Sequence, residues 1–189
     1  MIAGCGAGRG AERPARLPAD YQPIRAGRSP GYRLPALSEA TAAGRPLAGL
    51  RCSRRHPPAY GIHLELYARR LVVPVPAGIG IAAPQRREGA YVRGGACAYP
   101  LRTVEPTGVV IVDRAAGPAP RLGTLFRIWG VRLSRTRLAG FRGPTRAFLD
   151  GRRWRGAPGS IPLRRHAEIV LEVGGAVVPH PAYRFVPGL

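Results

Sequence analysis

Eight arginines, Arg132, Arg135, Arg137, Arg142, Arg146, Arg152, Arg153 and Arg155, fall within 24 residues, and Asp150 is the only acid among them. Guanidinium groups at that density suit phosphate, carboxylate or sulfate recognition, because each offers a planar fork of donors that an oxyanion can accept. The partners this implies are an anionic membrane surface or a cell-wall polyanion. Nucleic acid is the weaker partner. Phe141, Phe148 and Trp154 are too few for a stacking platform, and no helix-turn-helix or RNA-binding signature appears. The alternative for the cluster is a solvated surface with no ligand.

A second pair with chemical potential is His63 and Glu65. Two apart on an alternating stretch, they share one face of a strand, where a histidine and a carboxylate can ligate one cation. Two donors do not complete a site, so no metal and no cofactor is expected there. The remaining histidines are His56, His166 and His180, and the chain contains no G-x-S-x-G, no H-E-x-x-H and no phosphate-binding P-loop. Glu168 and Glu172 alternate outward on a strand and read as solvated charges rather than as a carboxylate pair for acid–base work. No enzymatic activity is expected.

The elements that must position these residues are legible in part. Ile62, Leu64 and Leu66 alternate with His63, Glu65 and Tyr67, which predicts a half-buried strand. Arg69-Arg70 makes a turn into a second strand over 71–76, confined to an edge by Pro74 and Pro76. Ala77-Gly78-Ile79-Gly80 is a tight bend, and 84–95 reads as a loop. An apolar strand covers 108–113. Leu122, Leu125, Phe126 and Trp129 recur at helical spacing and predict a helix that Gly130 caps. Asp150-Gly151 is a two-residue hairpin turn, and 168–173 is the last strand. The expected fold class is α+β, a mostly antiparallel sheet with one main helix. Its C-terminal half, ordered strand, helix, hairpin, strand, resembles the latter part of a β-grasp domain. Residues 1–50, rich in Gly, Pro, Ala and Arg, read as a flexible arm, and 51–189 as the folded domain.

The 189 residues carry a net charge of +20, and all thirty basic residues are arginine. The chain lacks both Lys and Asn, whose codons begin with two adenines. Part of the basicity therefore reflects a GC-rich genome. The ten acids are scarcer than that bias explains. No stretch is long and apolar enough to span a bilayer.

Ile2-Ala3-Gly4-Cys5 resembles the lipobox of bacterial lipoproteins, in which small residues precede a cysteine that receives a lipid. The resemblance implies that Cys5 is a lipid anchor and that the chain is extracytoplasmic; the alternative is a chance match in an Ala/Gly-rich segment. An in-frame extension upstream of Met1, encoding basic residues and then an apolar run, is expected. An exported chain with two further cysteines invites a disulfide between Cys52 and Cys97, the alternative being two free thiols.

A wider resemblance covers roughly residues 50–189. The stretches 62–66, 75–80, 97–103 and 108–111, with Leu122-Gly123-Thr124-Leu125-Phe126-Arg127-Ile128-Trp129-Gly130, resemble a family of uncharacterised bacterial exported proteins. Fuller members carry histidines on these strands, which implies a metal site. Here Gly61, Glu65, Arg102, Val104 and Ile111 stand at those positions and only His63 is kept, so the resemblance implies a metal-free relative. The functional expectation is a non-enzymatic, exported, membrane-tethered binding or structural module. The alternatives are a cytosolic nucleic-acid-binding protein and a metal-dependent enzyme derived from the histidine-rich relatives.

Overall fold

A computed structural model describes residues 36–189 apart from 56, 58, 118, 176–182, 186, 187 and 189. Cys5, His56 and His180 lie outside the described residues. Ordered structure begins upstream of Leu50. Helix α1 (Glu39–Ala42) is a single turn whose N-cap Ser38 accepts from the Thr41 amide, and buried Thr41 donates to the Ile128 carbonyl at 2.5 Å. Leu37, Leu47 and Leu50 pack against the core, so 36–50 belongs to the folded body rather than to an arm.

The main sheet is built on β1 (Ala59–Ala68), which turns through Arg69-Arg70 into β2 (Leu71–Val72). Both turn residues have positive φ, 50° and 69°, the backbone of a tight hairpin. The expected strand over 71–76 is thus shorter. Past Val72 only the Val73 amide still bonds to Leu66 before the prolines end the ladder. The segment expected as a loop over 84–95 is instead a hairpin of β3 (Arg86–Glu88) and β4 (Tyr91–Gly94). All three β3 residues are exposed, so the strand carries no alternation to read.

Next come β5 (Leu101–Arg102) and β6 (Val109–Asp113). Helix α2 (Leu122–Trp129) follows, ending at Gly130 with φ 85°, where the Gly130 and Val131 amides bond back to Phe126. A small sheet of β7 (Leu133–Ser134), β8 (Arg137–Leu138) and β9 (Phe141–Arg142) precedes β10 (Thr145–Leu149) and β11 (Arg152–Arg153). Asp150-Gly151 turns between β10 and β11 with both φ positive, and β12 (Glu168–Val173) closes the sheet.

The sheet order is β11-β10-β12-β1-β6-β5, with β2 beside β1. β1 and β12 run parallel at the centre; β6 flanks β1 and β10 flanks β12, both antiparallel. With α2 between β6 and β10 in sequence, this is the strand order of a β-grasp arrangement. It spans Ala59 to Val173 rather than the C-terminal half alone. The fold is α+β and mostly antiparallel, as expected.

One face of the sheet carries Ile62, Leu64, Leu66, Val110, Val112, Ile169 and Leu171, and packs with Leu122, Leu125, Phe126 and Trp129 of α2 in a single cluster. Burial of each such side chain contributes about 1.5–3 kcal/mol, so the helix stripe and the sheet face hold one another in place.

Candidate functional site

Cys52 and Cys97 form a disulfide with Cα atoms 5.5 Å apart, closing a separation of 45 residues. It joins the segment before β1 to the segment before β5, beside an isolated bridge between Ser53 and Ala98. A disulfide points to an oxidising, extracytoplasmic environment. Among the described residues no helix is long and apolar enough to cross a membrane.

The arginine cluster splits. Seven of its members lie on the small sheet, its entry and the β10–β11 hairpin, and of these all but Arg137 are exposed. Arg137 and Arg142 stand directly opposite one another across β8 and β9. Like charges in that position repel, and neither has an acidic partner among the described residues. Together with Arg132, Arg135, Arg152, Arg153 and Arg155 they form a cationic rim. Arg146 is the correction. It points to the other face of the main sheet, where its Nε lies 3.2 Å from Glu172.

That outer face gathers the acids. Strand register places Tyr67, Glu172 and Arg146 in one row and His63 beside Glu168 in another. Glu172, expected as a solvated charge, is only 1% exposed. Alternation alone assumes water on the second face, but here Arg146 and Tyr67 flank the carboxylate. Arg102 and Asp113 form a second buried pair, 2.8 Å apart.

His63 and Glu65 do come together: Nδ1 is 3.7 Å from the Glu65 carboxylate. The other ring nitrogen, Nε2, is 3.0 Å from the Thr107 carbonyl. A carbonyl only accepts, so Nε2 donates. The Tyr67 hydroxyl donates to Glu65 at 2.8 Å. Burial, then that bond and the negative charge of Glu65 and Glu172, push the Tyr67 hydroxyl well above the usual tyrosine range. The three side chains line a cavity of about 250 Å³ with Val72, Pro74 and Thr107. Tyr183 stacks on His63 at 4.0 Å between ring centroids, and its amide donates to Glu168 at 3.0 Å.

Gly61, Ile111 and Arg102, three positions where the histidine-rich proteins would place ligands, stand abreast across β1, β6 and β5 on this same face. The geometry would let such side chains converge. In this chain the row holds no metal-ligating side chain: Gly61 and Ile111 offer none, and the Arg102 guanidinium pairs with Asp113. No group of three or more His, Cys, Asp or Glu side chains that could hold a metal ion occurs among the described residues.

Fold and site thus define a class: a disulfide-braced α+β domain with a charge-paired outer sheet face and an arginine rim that has no acidic partner among the described residues. No family model matches the chain, and no curated protein or solved structure matches it either.

Sequence reasoning missed that Tyr67 and Glu172 stand beside Glu65 and Arg146, and that Asp113 is buried against Arg102. The signal was present but unused: Glu172 falls at the same alternation phase of its strand as His63 and Glu65 do of theirs.

Proposed function

We propose that this chain is a non-enzymatic module acting outside the cytoplasm, tethered through a lipid on Cys5, whose arginine rim binds polyanions. The observation that carries the reading is the rim itself. Seven guanidinium groups share two adjoining hairpin systems with no acidic partner among the described residues, and Arg137 faces Arg142 directly. An anion between them relieves their repulsion, whereas a purely structural rim gains nothing from it. The disulfide supports the compartment. A lipid chain alone gives marginal attachment, so basic residues near anionic headgroups, each contributing on the order of 1 kcal/mol, supply a second one.

The test has two arms. Radiolabelled fatty acid should enter the wild-type chain and not Cys5→Ser. The protein should bind vesicles containing phosphatidylglycerol and not phosphatidylcholine alone, with affinity falling steeply as salt rises. Replacing Arg152, Arg153 and Arg155 with Gln should weaken that binding. Salt-resistant, sequence-selective binding to duplex DNA would overturn the reading in favour of a nucleic-acid-binding protein.

A further inference from the structure

We propose that a pocket beside Trp154 is a subsite for one unit of an acidic polysaccharide, a sugar ring bearing a carboxylate or sulfate. The proposal rests on the polyanion-binding reading above and names the ligand chemistry of one part of the rim. The pocket has a volume of about 440 Å³, the size range of small-ligand sites. Its cationic wall is Arg135, Arg153 and Arg155, and its apolar wall is Ala147, Trp154 and Pro158.

The apolar wall is prebuilt. The Trp154 amide bonds to the Ala147 carbonyl at 2.8 Å, which continues the β10 pairing beyond Arg153. The indole Nε1 donates to the Ala157 carbonyl at 3.2 Å, and Ser160 Oγ donates to the same oxygen at 2.7 Å. Gly156 lies against the indole edge, where a Cβ would stand 2.7 Å from Nε1. Its glycine identity therefore permits the close approach. Ala147 and Pro158 are buried, and Trp154 is half-buried. With its only donor spent on Ala157, the indole offers a ligand apolar and π surface alone.

In the cationic wall, Arg135 and Arg155 are the two guanidinium groups with no ring or acid contact among the described residues. Arg135 makes one long contact, 3.4 Å to the Arg155 carbonyl, whereas the Arg153 guanidinium lies over the Phe148 ring, 5.5 Å from its centroid, on the face of β10 opposite Ala147. None of the three has an acidic partner among the described residues. A matching ligand combines a rigid apolar face with an oxyanion. A lipid headgroup supplies the anion without the rigid face. A nucleotide supplies both, but the disulfide points to an oxidising compartment. An acidic sugar ring supplies both and is a component of extracytoplasmic polymers.

The experiment titrates the full chain and its variants with trigalacturonate, its neutral methyl ester and a polyglutamate of matched charge by isothermal calorimetry, and follows tryptophan emission in the wild type. Trp129 is fully buried, so a ligand-dependent change reports Trp154. Trigalacturonate is expected to bind saturably and to shift the emission, and the ester is expected not to bind. Trp154→Leu should lose roughly tenfold or more for trigalacturonate while polyglutamate binding stays within about twofold. Trp154→Tyr, which keeps a ring, serves as the second variant and should fall between wild type and Trp154→Leu. Equal binding of trigalacturonate and polyglutamate, indifferent to Trp154, would overturn the subsite and leave the polyanion reading intact. Stronger competition by a nucleoside monophosphate would overturn it too. Failure to bind any polyanion would remove both.

Discussion

The outer face of the main sheet and the arginine rim lie on one chain of ten acids and thirty arginines, yet they treat charge in opposite ways. Glu65, Asp113, Glu168 and Glu172 all stand on the outer face, where Arg102 pairs with Asp113 and Arg146 with Glu172. The rim has Arg137 against Arg142 and no matching acid among the described residues. Burial explains the difference. A charge withdrawn from water costs several kcal/mol unless a partner replaces the water, whereas an exposed guanidinium keeps its hydration. A scarce supply of acids therefore concentrates where charge is buried, and the rim is left with charge that no acid among the described residues matches.

The largest expected effect belongs to an uncharged brace and sets the scale for the rest. Replacing Cys52 and Cys97 with Ser should cost about 4 kcal/mol in the chain-entropy model for a loop of this length, measured by denaturant unfolding. Because no charge is involved, the loss should be the same at low and high salt.

The outer face should come next. Arg102→Met removes the guanidinium beside buried Asp113 and should cost about 3 kcal/mol. Adding Asp113→Leu should recover most of that loss, since a matched apolar pair replaces a broken ionic one. If Arg102→Met unfolds no more easily than wild type, the contrast between the two regions fails.

Alkaline unfolding sharpens the same contrast. Tyr67 has its hydroxyl pKa raised in the folded state, by burial first and by Glu65 second. Burial also raises Tyr60 and Tyr99. A raised folded-state pKa means the native protein holds its proton after the unfolded chain has released it. The stabilisation is complete below about pH 10 and is lost as pH climbs further. Stability should decline above that pH, and Tyr67→Phe should flatten the decline.

The smallest effect should be at the rim. Arg142→Thr removes one of two facing like charges and should leave stability unchanged or raise it by at most about 0.5 kcal/mol, with the gain fading as salt screens the pair. A loss of 2 kcal/mol or so, the mark of a buried network, would show that the rim is paired after all.

Much of the framework could be read from local pattern. The spacing of Leu122, Leu125, Phe126 and Trp129 with Gly130 marked α2 at its observed bounds. Asp150-Gly151 marked its hairpin because those residue types tolerate the positive φ that a two-residue turn requires. The β3–β4 hairpin was invisible because Arg86, Arg87 and Glu88 are all exposed and show no period. The site was legible only as a charge count. Arg146 and Arg142 look alike in the sequence, and their strands alone separate them.

The sequence by itself determined the repeating faces of the helix and of the long strands, the hairpin turns at Arg69-Arg70 and Asp150-Gly151, and the pair of cysteines available for bridging. These follow from side-chain period and from backbone preferences within a few residues. Only the tertiary structure decided that β1 lies parallel to β12, that Glu172 is buried against Arg146, and that Trp154 shares a pocket with Arg135. Each of those depends on which distant segment covers a strand's second face, and a short stretch of sequence holds no information about its cover.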